Sequence, residues 1–248
     1  MRTHLRFSRL PGTGGRRGLR ALSFIYLSGI DVHAMSIVRI DTSIPYDSNI
    51  YLVKGRSAVL IDTGTGLDSH NTIDSIWREL DGIRLSASLL THCHADHIGG
   101  LQAVSEEFGC QVYAYDPDAS VISSGDPSVS VAGMFGIPLR PVPCKALRST
   151  DTFDLGDHLL EVIPTPGHTA GGVCFYDRPT GSLFSGDTLF SSGFGRTDLP
   201  TGSYSSMYKS LQSLRNVNIG TLYPGHGPVT EDGNRAVAEA ISMMEGTY

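Results

Sequence analysis

From Met35 onward, short runs of β-branched, aromatic and aliphatic residues alternate with segments whose apolar positions recur every three or four residues. The runs SIVRI (36–40), NIYLV (49–53) and SAVLI (57–61) are bounded by Pro, Asp, Asn and Gly, and predict three consecutive strands of a meander. Over 71–81 the residues Ile73, Ile76, Trp77 and Leu80 fall at helical spacing. LSASLLT (85–91) predicts a buried strand, 99–109 the next helix and 111–115 another strand. The second half has the same alternation, with strands over 158–165, 171–177 and 181–187, a helix over 205–215, a run through 219–225 and a last helix over 235–246. Residues 116–150, rich in Ser, Pro and Gly, carry the weakest periodicity and predict irregular chain. Strands and helices thus recur in two halves of a mixed α+β chain, without a sharp internal repeat.

Composition narrows this picture. With 248 residues, 40% of them hydrophobic, and a mean hydropathy of −0.05, the chain can bury a large core and fits one domain better than two. No apolar run approaches the roughly 20 residues that span a bilayer, so no membrane role is expected. Cys93, Cys110, Cys144 and Cys174 lie far apart without C-x-x-C spacing. They read as free thiols in a reducing compartment, which points to the cytoplasm. Residues 1–34 hold six arginines against the single acid Asp31, a local net of +5; with the whole chain at −6, the remainder carries −11. An acidic body lacks the basic stripe of a nucleic-acid binder, so no nucleic-acid partner is expected. The basic leader admits a twin-arginine or other secretory signal, an organellar transit peptide, or an unstructured extension upstream of a functional chain starting at Met35. The extension is the expectation, because the folding pattern begins directly after Met35 and the leader's apolar stretch is short and broken by Ser23, Tyr26, Ser28 and Gly29. The domain is therefore placed at 35–248.

Candidate chemistry concentrates in THCHADHIGG (91–100), which packs three histidines and an aspartate into six positions. In an extended chain leaving a strand, alternate side chains share a face, so His92, His94 and Asp96 project together while His97 turns away as the next helix begins. Imidazole and carboxylate suit Zn²⁺, Fe or Mn²⁺. Histidines merely satisfied within a core would have to bury three titratable groups at once, which is costly. Further candidates follow strand-like runs, each just after a glycine: His168 in PTPGHTAGG, Asp187 in FSGDTLF and His226 in LYPGHGP. Taken singly, each reads as an ordinary turn residue; their recurrence in the same setting makes them ligand candidates. Cys93 has the opposite parity to His92 and His94 and is expected to be a packed thiol.

Together with LIDTG (60–64), these motifs resemble those of the metallo-β-lactamase superfamily, from about Met35 to the C-terminus. The resemblance implies a four-layer αβ/βα sandwich with two divalent metals at one edge of two facing sheets, Zn²⁺ first, with Fe or Mn as alternatives. His92, His94 and His168 would bind one metal, Asp96, His97 and His226 the second, and Asp187 would bridge both; Asp62 resembles a residue that orients the ligands. Two cations sharing a water lower its pKa towards neutrality, giving a hydroxide nucleophile without a Ser or Cys. His94, Asp96 and Asp187 would then be catalytic through the metals, Asp96 also orienting the hydroxide. Residues 185–203 resemble the compact glyoxalase II-like (hydroxyacylglutathione hydrolase-like) branch. That implies hydrolysis of a small-molecule thioester such as S-lactoylglutathione, with Arg196 in place of a basic residue that contacts the glutathione part. The chain departs from the larger enzymes in two respects: Gly227-Pro228 follow His226 without their tyrosine, and the chain ends near the start of their second domain. A sister branch, the persulfide dioxygenases, uses one iron, here matching His92, His168 and Asp187. A non-catalytic metal- or ligand-binding protein is the alternative of another class, and it would be expected to have lost ligands; all seven positions are filled.

Overall fold

In the computed structural model, which describes residues 36–246, the apolar runs pair into two sheets. The basic leader of residues 1–34 lies outside the described residues. In chain order the elements are β1 (Ser36–Ile40), β2 (Ile50–Lys54), β3 (Ala58–Ile61), α1 (Ser69–Leu80), β4 (Leu85–Leu89), α2 (Ala95–Ile98), α3 (Leu101–Phe108), β5 (Gln111–Tyr115), α4 (Asp118–Ser124), α5 (Ala132–Phe135) and β6 (Lys145–Leu147). They continue with β7 (Thr152–Asp154), β8 (Leu159–Pro164), β9 (Val173–Asp177), β10 (Ser182–Gly186), α6 (Tyr204–Leu214), β11 (Leu222–Pro224) and α7 (Gly233–Glu245). The first sheet has the order β1-β2-β3-β4-β5-β6 and the second β11-β10-β9-β8-β7. The meander β1-β2-β3 is antiparallel, whereas β3 to β6 run parallel.

Strand alternation explains why these runs are apolar at nearly every position: both faces of each sheet are covered. Tyr51, Val53, Val59 and Ile61 point inward and meet Val162, Val173, Phe175 and Phe184 of the opposite sheet in one core. Their chain neighbours Ile50, Leu52, Ala58 and Leu60 point outward against Ile76 and Leu80 of α1 and Val104 of α3. On the other side Cys174, Leu183 and Leu222 pack against Met207 and Leu211 of α6 and Ala240 and Ile241 of α7. The result is helix, sheet, sheet, helix, the four-layer α+β sandwich of the expectation. Each fully buried Leu, Val or Phe contributes about 1.5–3 kcal/mol, so the inter-sheet layer is the main source of rigidity beneath the strand ends.

Three local expectations are corrected. Residues 116–150 contain α4, α5 and β6. These are short and Ser-rich, and tertiary contacts order them: Ala119 and Ile122 of α4 bury against Leu90, Cys93 and Val112, and β6 pairs with the edge of β5. Trp77 is 50% exposed rather than part of the buried stripe; its ring lies 4.8 Å from Phe108 and its indole N–H donates to Glu107. Strand β7 has no counterpart among the predicted elements, because three residues are too few to carry a period.

Candidate metal centre

Every candidate ligand lies just beyond the C-terminal end of a strand: His92, His94, Asp96 and His97 after β4, His168 after β8, Asp187 after β10 and His226 after β11. Asp62, immediately after β3 and in the left-handed region (φ 60°), accepts hydrogen bonds from Thr91 N and Thr91 Oγ1, both at 2.8 Å, and so fixes the start of the histidine loop. The extended chain then runs only as far as His94 (φ −71°, ψ 146°). Ala95–Ile98 form a helical turn, so Asp96 and His97 are separated by helical rather than strand rotation. This corrects the expected parity: His97 does not turn away from the cluster, and its ring centroid lies 4.1 Å from that of His92.

The hydrogen-bond network assigns the histidine tautomers. The Thr91 hydroxyl gives its one proton to Asp62, so His92 Nδ1, 3.0 Å from Thr91 Oγ1, must donate to it. His97 Nδ1 donates to Asp62 Oδ2 (2.7 Å), and His168 Nδ1 to the main-chain carbonyl of Arg196 (2.6 Å). His92 and His168 therefore turn a bare Nε2 into the same space and His97 presents its Nε2 there, the arrangement by which carbonyl and carboxylate partners orient imidazoles towards a metal. His92 Nε2 and Asp187 Oδ1 are among the buried polar atoms that make no hydrogen bond, which is costly unless something else binds them.

The atoms converge in three overlapping groups, each with its ligand atoms within 4.8 Å of one another: His92, His94 and His168; His92, His97 and Asp187; Asp96, His97 and His226. His94 Nδ1 and His168 Nε2 are 2.8 Å apart. His226 Nε2 lies 3.1 Å from Asp96 Oδ2 and 3.3 Å from His97 Nε2. Asp187 faces both sides, with Oδ1 at 3.3 Å from His97 Nε2 and Oδ2 at 3.5 Å from His168 Nε2. The backbone is shaped to this crowding: a Cβ on Gly225 would collide with Asp187 Oδ1 and come within 2.7 Å of His97 Cε1. Asn49 holds the same turn from across the molecule, its amide donating to the carbonyls of Pro224 and Gly227 at 2.9 Å each.

Electrostatics favour added positive charge. Burial, reinforced by the neighbouring imidazoles of His97, His94 and His168, pushes His92 well down, and burial with His168 takes His94 down to about 3. Both rings are neutral and able to coordinate. Burial alone would raise Asp187, but His97, His226 and His168 outweigh it and hold it well below the usual carboxylate range. Asp96 is likewise lowered, burial being overcome by His97 and the His226 hydrogen bond. His97 is pushed down by burial yet ends well above its ordinary value, because Asp62, Asp187 and Asp96 surround it. A cation among these carboxylates supplies the charge they demand and leaves His97 Nε2 free to bind it. The donor set of imidazole nitrogens and carboxylate oxygens fits one or two divalent transition-metal ions.

The matching family model is that of the metallo-β-lactamase superfamily, over residues 44–226. The chain belongs to that superfamily. A probable metallo-hydrolase of Methanocaldococcus jannaschii is 36% identical over 196 residues, covering 74% of this chain and 89% of its own. A hydroxyacylglutathione hydrolase of Methylobacillus flagellatus is 34% identical over 201 residues, covering 79% of this chain and 67% of its own. Among solved structures, the B3 metallo-β-lactamase BLEG-1 superposes with a TM-score of 0.70 at 29% identity, over 81% of this chain and 96% of its own. The protein TTHA1623 in a di-iron-bound form does so with a TM-score of 0.69 at 33% identity, over 80% and 97%.

Within this metallo-β-lactamase-fold site, Arg196 is on the rim. Its guanidinium is half-exposed and makes a two-pronged ion pair with Asp198 (2.8 and 2.7 Å), while its carbonyl is the acceptor for His168. Cys93 points away from the ligands into an apolar cluster with Leu90, Ile98 and Leu101, and burial, with Asp118 nearby, pushes its thiol up, so it is inert packing. All four cysteines are free. No helix among the described residues is long and apolar enough to cross a membrane.

Asp118, which no sequence pattern singles out, ties the two histidine loops together. Its Oδ2 accepts from Cys93 N (2.9 Å) and Thr169 Oγ1 (2.7 Å), and its Oδ1 from Gly171 N (2.8 Å). The approach is so close that a Cβ on Gly171 would lie 2.6 Å from Asp118 N. Burial raises this carboxyl, and the three hydrogen bonds only partly offset it. No local signal marks it, since YDPDAS reads simply as a turn after a strand. Asn keeps the shape but turns an NH₂ towards one set of donors, freeing one loop. Asp118→Asn is expected to weaken metal binding at the His92, His94 and His168 group about 10–100-fold and to affect the Asp96, His97 and His226 group less. Titrating metal into the metal-free variant checks this: equal weakening of both equivalents, or of neither, contradicts it.

Proposed function

We propose that residues 35–248 form the catalytic domain of a cytoplasmic metallo-hydrolase that cleaves a thioester of the S-lactoylglutathione type, using two divalent ions, Zn²⁺ before Fe or Mn. The observation that carries this reading is the convergence of bare Nε2 atoms and unpaired carboxylate oxygen on one space. That space opens on a cavity of about 230 Å³ lined by His94, Asp96, His168 and Asp187. A pair of divalent ions supplies Lewis acidity and lowers the pKa of bound water towards neutrality. The chain's own residues do the rest. Asp96, whose Oδ2 lies 3.1 Å from His226 Nε2, lines the cavity and orients the attacking water. His94 and His168 line the wall against which the carbonyl group rests, and Asp187 spans the two ligand groups. Arg196 at the rim offers a cation to an anionic thiol carrier, in competition with Asp198; an exposed, solvent-screened pair of this kind yields readily. The four free thiols suit a reducing compartment. Similarity to a hydroxyacylglutathione hydrolase favours the thioester over other substrates.

The test is elemental analysis of the isolated protein beside a substrate panel. Two divalent ions per chain, release of thiol from S-lactoylglutathione and loss of that release on chelation are expected. One iron per chain with oxygen uptake on a persulfide would assign the dioxygenase chemistry instead. Tightly held metal with no turnover of either substrate would leave a binding protein.

A further inference from the structure

The cavity has a second wall that the metal site does not use. Besides the ligands it is lined by Val131, Met134, Phe135, Phe190 and Leu199. Met134, at 65% exposure, is the most exposed large apolar side chain among the described residues, and Tyr46, whose ring lies 6.4 Å from that of Phe135, is 51% exposed. Apolar surface gathered at the mouth of a polar site marks a place where something apolar rests. The wall is also rigidly registered to the ligands. Ala132 and Ile137 pack on Ala95, which opens the helical turn carrying Asp96 and His97, with Phe135 against them, and Ala95 N donates to Ser130 O at 2.9 Å. Val131, the hinge into α5, is held at φ 51°, a region a β-branched residue rarely enters and one that tends to persist at functional sites.

From these observations we infer that the α5 wall is an acyl-chain subsite, and that the preferred substrates carry a straight apolar acyl group of about four to eight carbons rather than a small hydroxyacyl group. This rests on the thioesterase reading above. Size decides which part of the thioester lies there. A cavity of about 150 Å³ holds benzene, and pockets that enclose a drug-sized ligand run from about 300 Å³ upward. The 230 Å³ here, which the reacting carbonyl shares, takes a short chain but not a tripeptide thiol as well, so the thiol carrier extends out of the cavity. The side chains of Val131, Met134, Phe135, Phe190 and Leu199 offer a lactoyl hydroxyl no oxygen or nitrogen acceptor.

The experiment keeps the thiol constant and varies the acyl group on the metal-loaded full chain: S-acetyl-, S-lactoyl-, S-butanoyl- and S-hexanoylglutathione. A buried methylene is worth about a three- to fourfold gain, so kcat/KM is expected to rise at least thirtyfold from acetyl to hexanoyl and to be lowest for acetyl and lactoyl. Met134→Ser, at an exposed position, should cut the hexanoyl-to-acetyl ratio at least fivefold. In parallel, calorimetric titration with acetate, butanoate and hexanoate reads the wall without any turnover. Affinity that rises with chain length in the natural protein and flattens in Met134→Ser supports the subsite even if no thioester is cleaved, a result that would defeat only the thioesterase reading. Flat affinities, or a lactoyl value above the hexanoyl one, overturn the subsite.

Discussion

Replacing Asp187 by Asn is expected to lower turnover by about a thousandfold, equivalent to about 4 kcal/mol in the activation barrier, and to weaken retention of divalent metal. The expectation follows from position. Among the described residues, Asp187 is the one carboxylate within 4 Å of imidazoles from both sides of the site, with Oδ1 3.3 Å from His97 Nε2 and Oδ2 3.5 and 3.8 Å from His168 Nε2 and His226 Nε2. Asn has the same outline, but its NH₂ offers no lone pair, so at least one side of the site loses a ligand whichever way the amide turns. The metal-free fold should lose some stability too, because His97, His226 and His168 favour the charged carboxylate, a loss partly offset by relief of its repulsion of Asp96. The variant should therefore melt lower than the natural protein without metal, and the extra stability conferred by bound metal should shrink as well. Two tightly bound ions per chain with turnover within tenfold of normal would refute the bridging role.

Asp62→Ala damages the metal-free protein more severely. The carboxylate is buried and takes three hydrogen bonds at 2.7–2.8 Å, two from Thr91 and one from His97. Removing it strands Thr91 N–H and His97 Nδ1–H in the interior, a loss of about 3–5 kcal/mol by analogy with breaking a buried pair. It also places Ala at φ 60°, adding about 1 kcal/mol of left-handed strain. For a chain of this size the melting temperature should fall by about 10–20 °C. With the His97 tautomer no longer fixed, metal affinity should drop about 10–100-fold. Urea unfolding of the metal-free proteins and metal titration separate the two effects. A metal-free variant within 1 kcal/mol of the natural protein would mean that Asp62 is only a turn former.

These residues also mark how far the chain could be read without coordinates. His168, Asp187 and His226 were legible because each follows an apolar run and a glycine, a local pattern that survives in one dimension. Asp62 was half legible, as a turn residue ahead of the histidine loop. Asp118 was not, since its partners Cys93 and Gly171 are 25 and 53 positions away and nothing at position 118 announces them. The α5 wall was hidden for the same reason: four residues cannot show a period, and Ala132 is ordered by Ala95 rather than by its own neighbours.

The sequence by itself determined the two-sided apolar strands, the amphipathic helices and the donor types available for a metal, because each depends on side chains within a few positions of one another. Which nitrogen each histidine presents, that His97 joins His92 rather than turning away, and that apolar side chains share a cavity with the ligands were decided only by the tertiary structure. Those features are set by hydrogen bonds and contacts between strand ends remote in the chain, and no local rule of spacing encodes a partner that folding alone brings near.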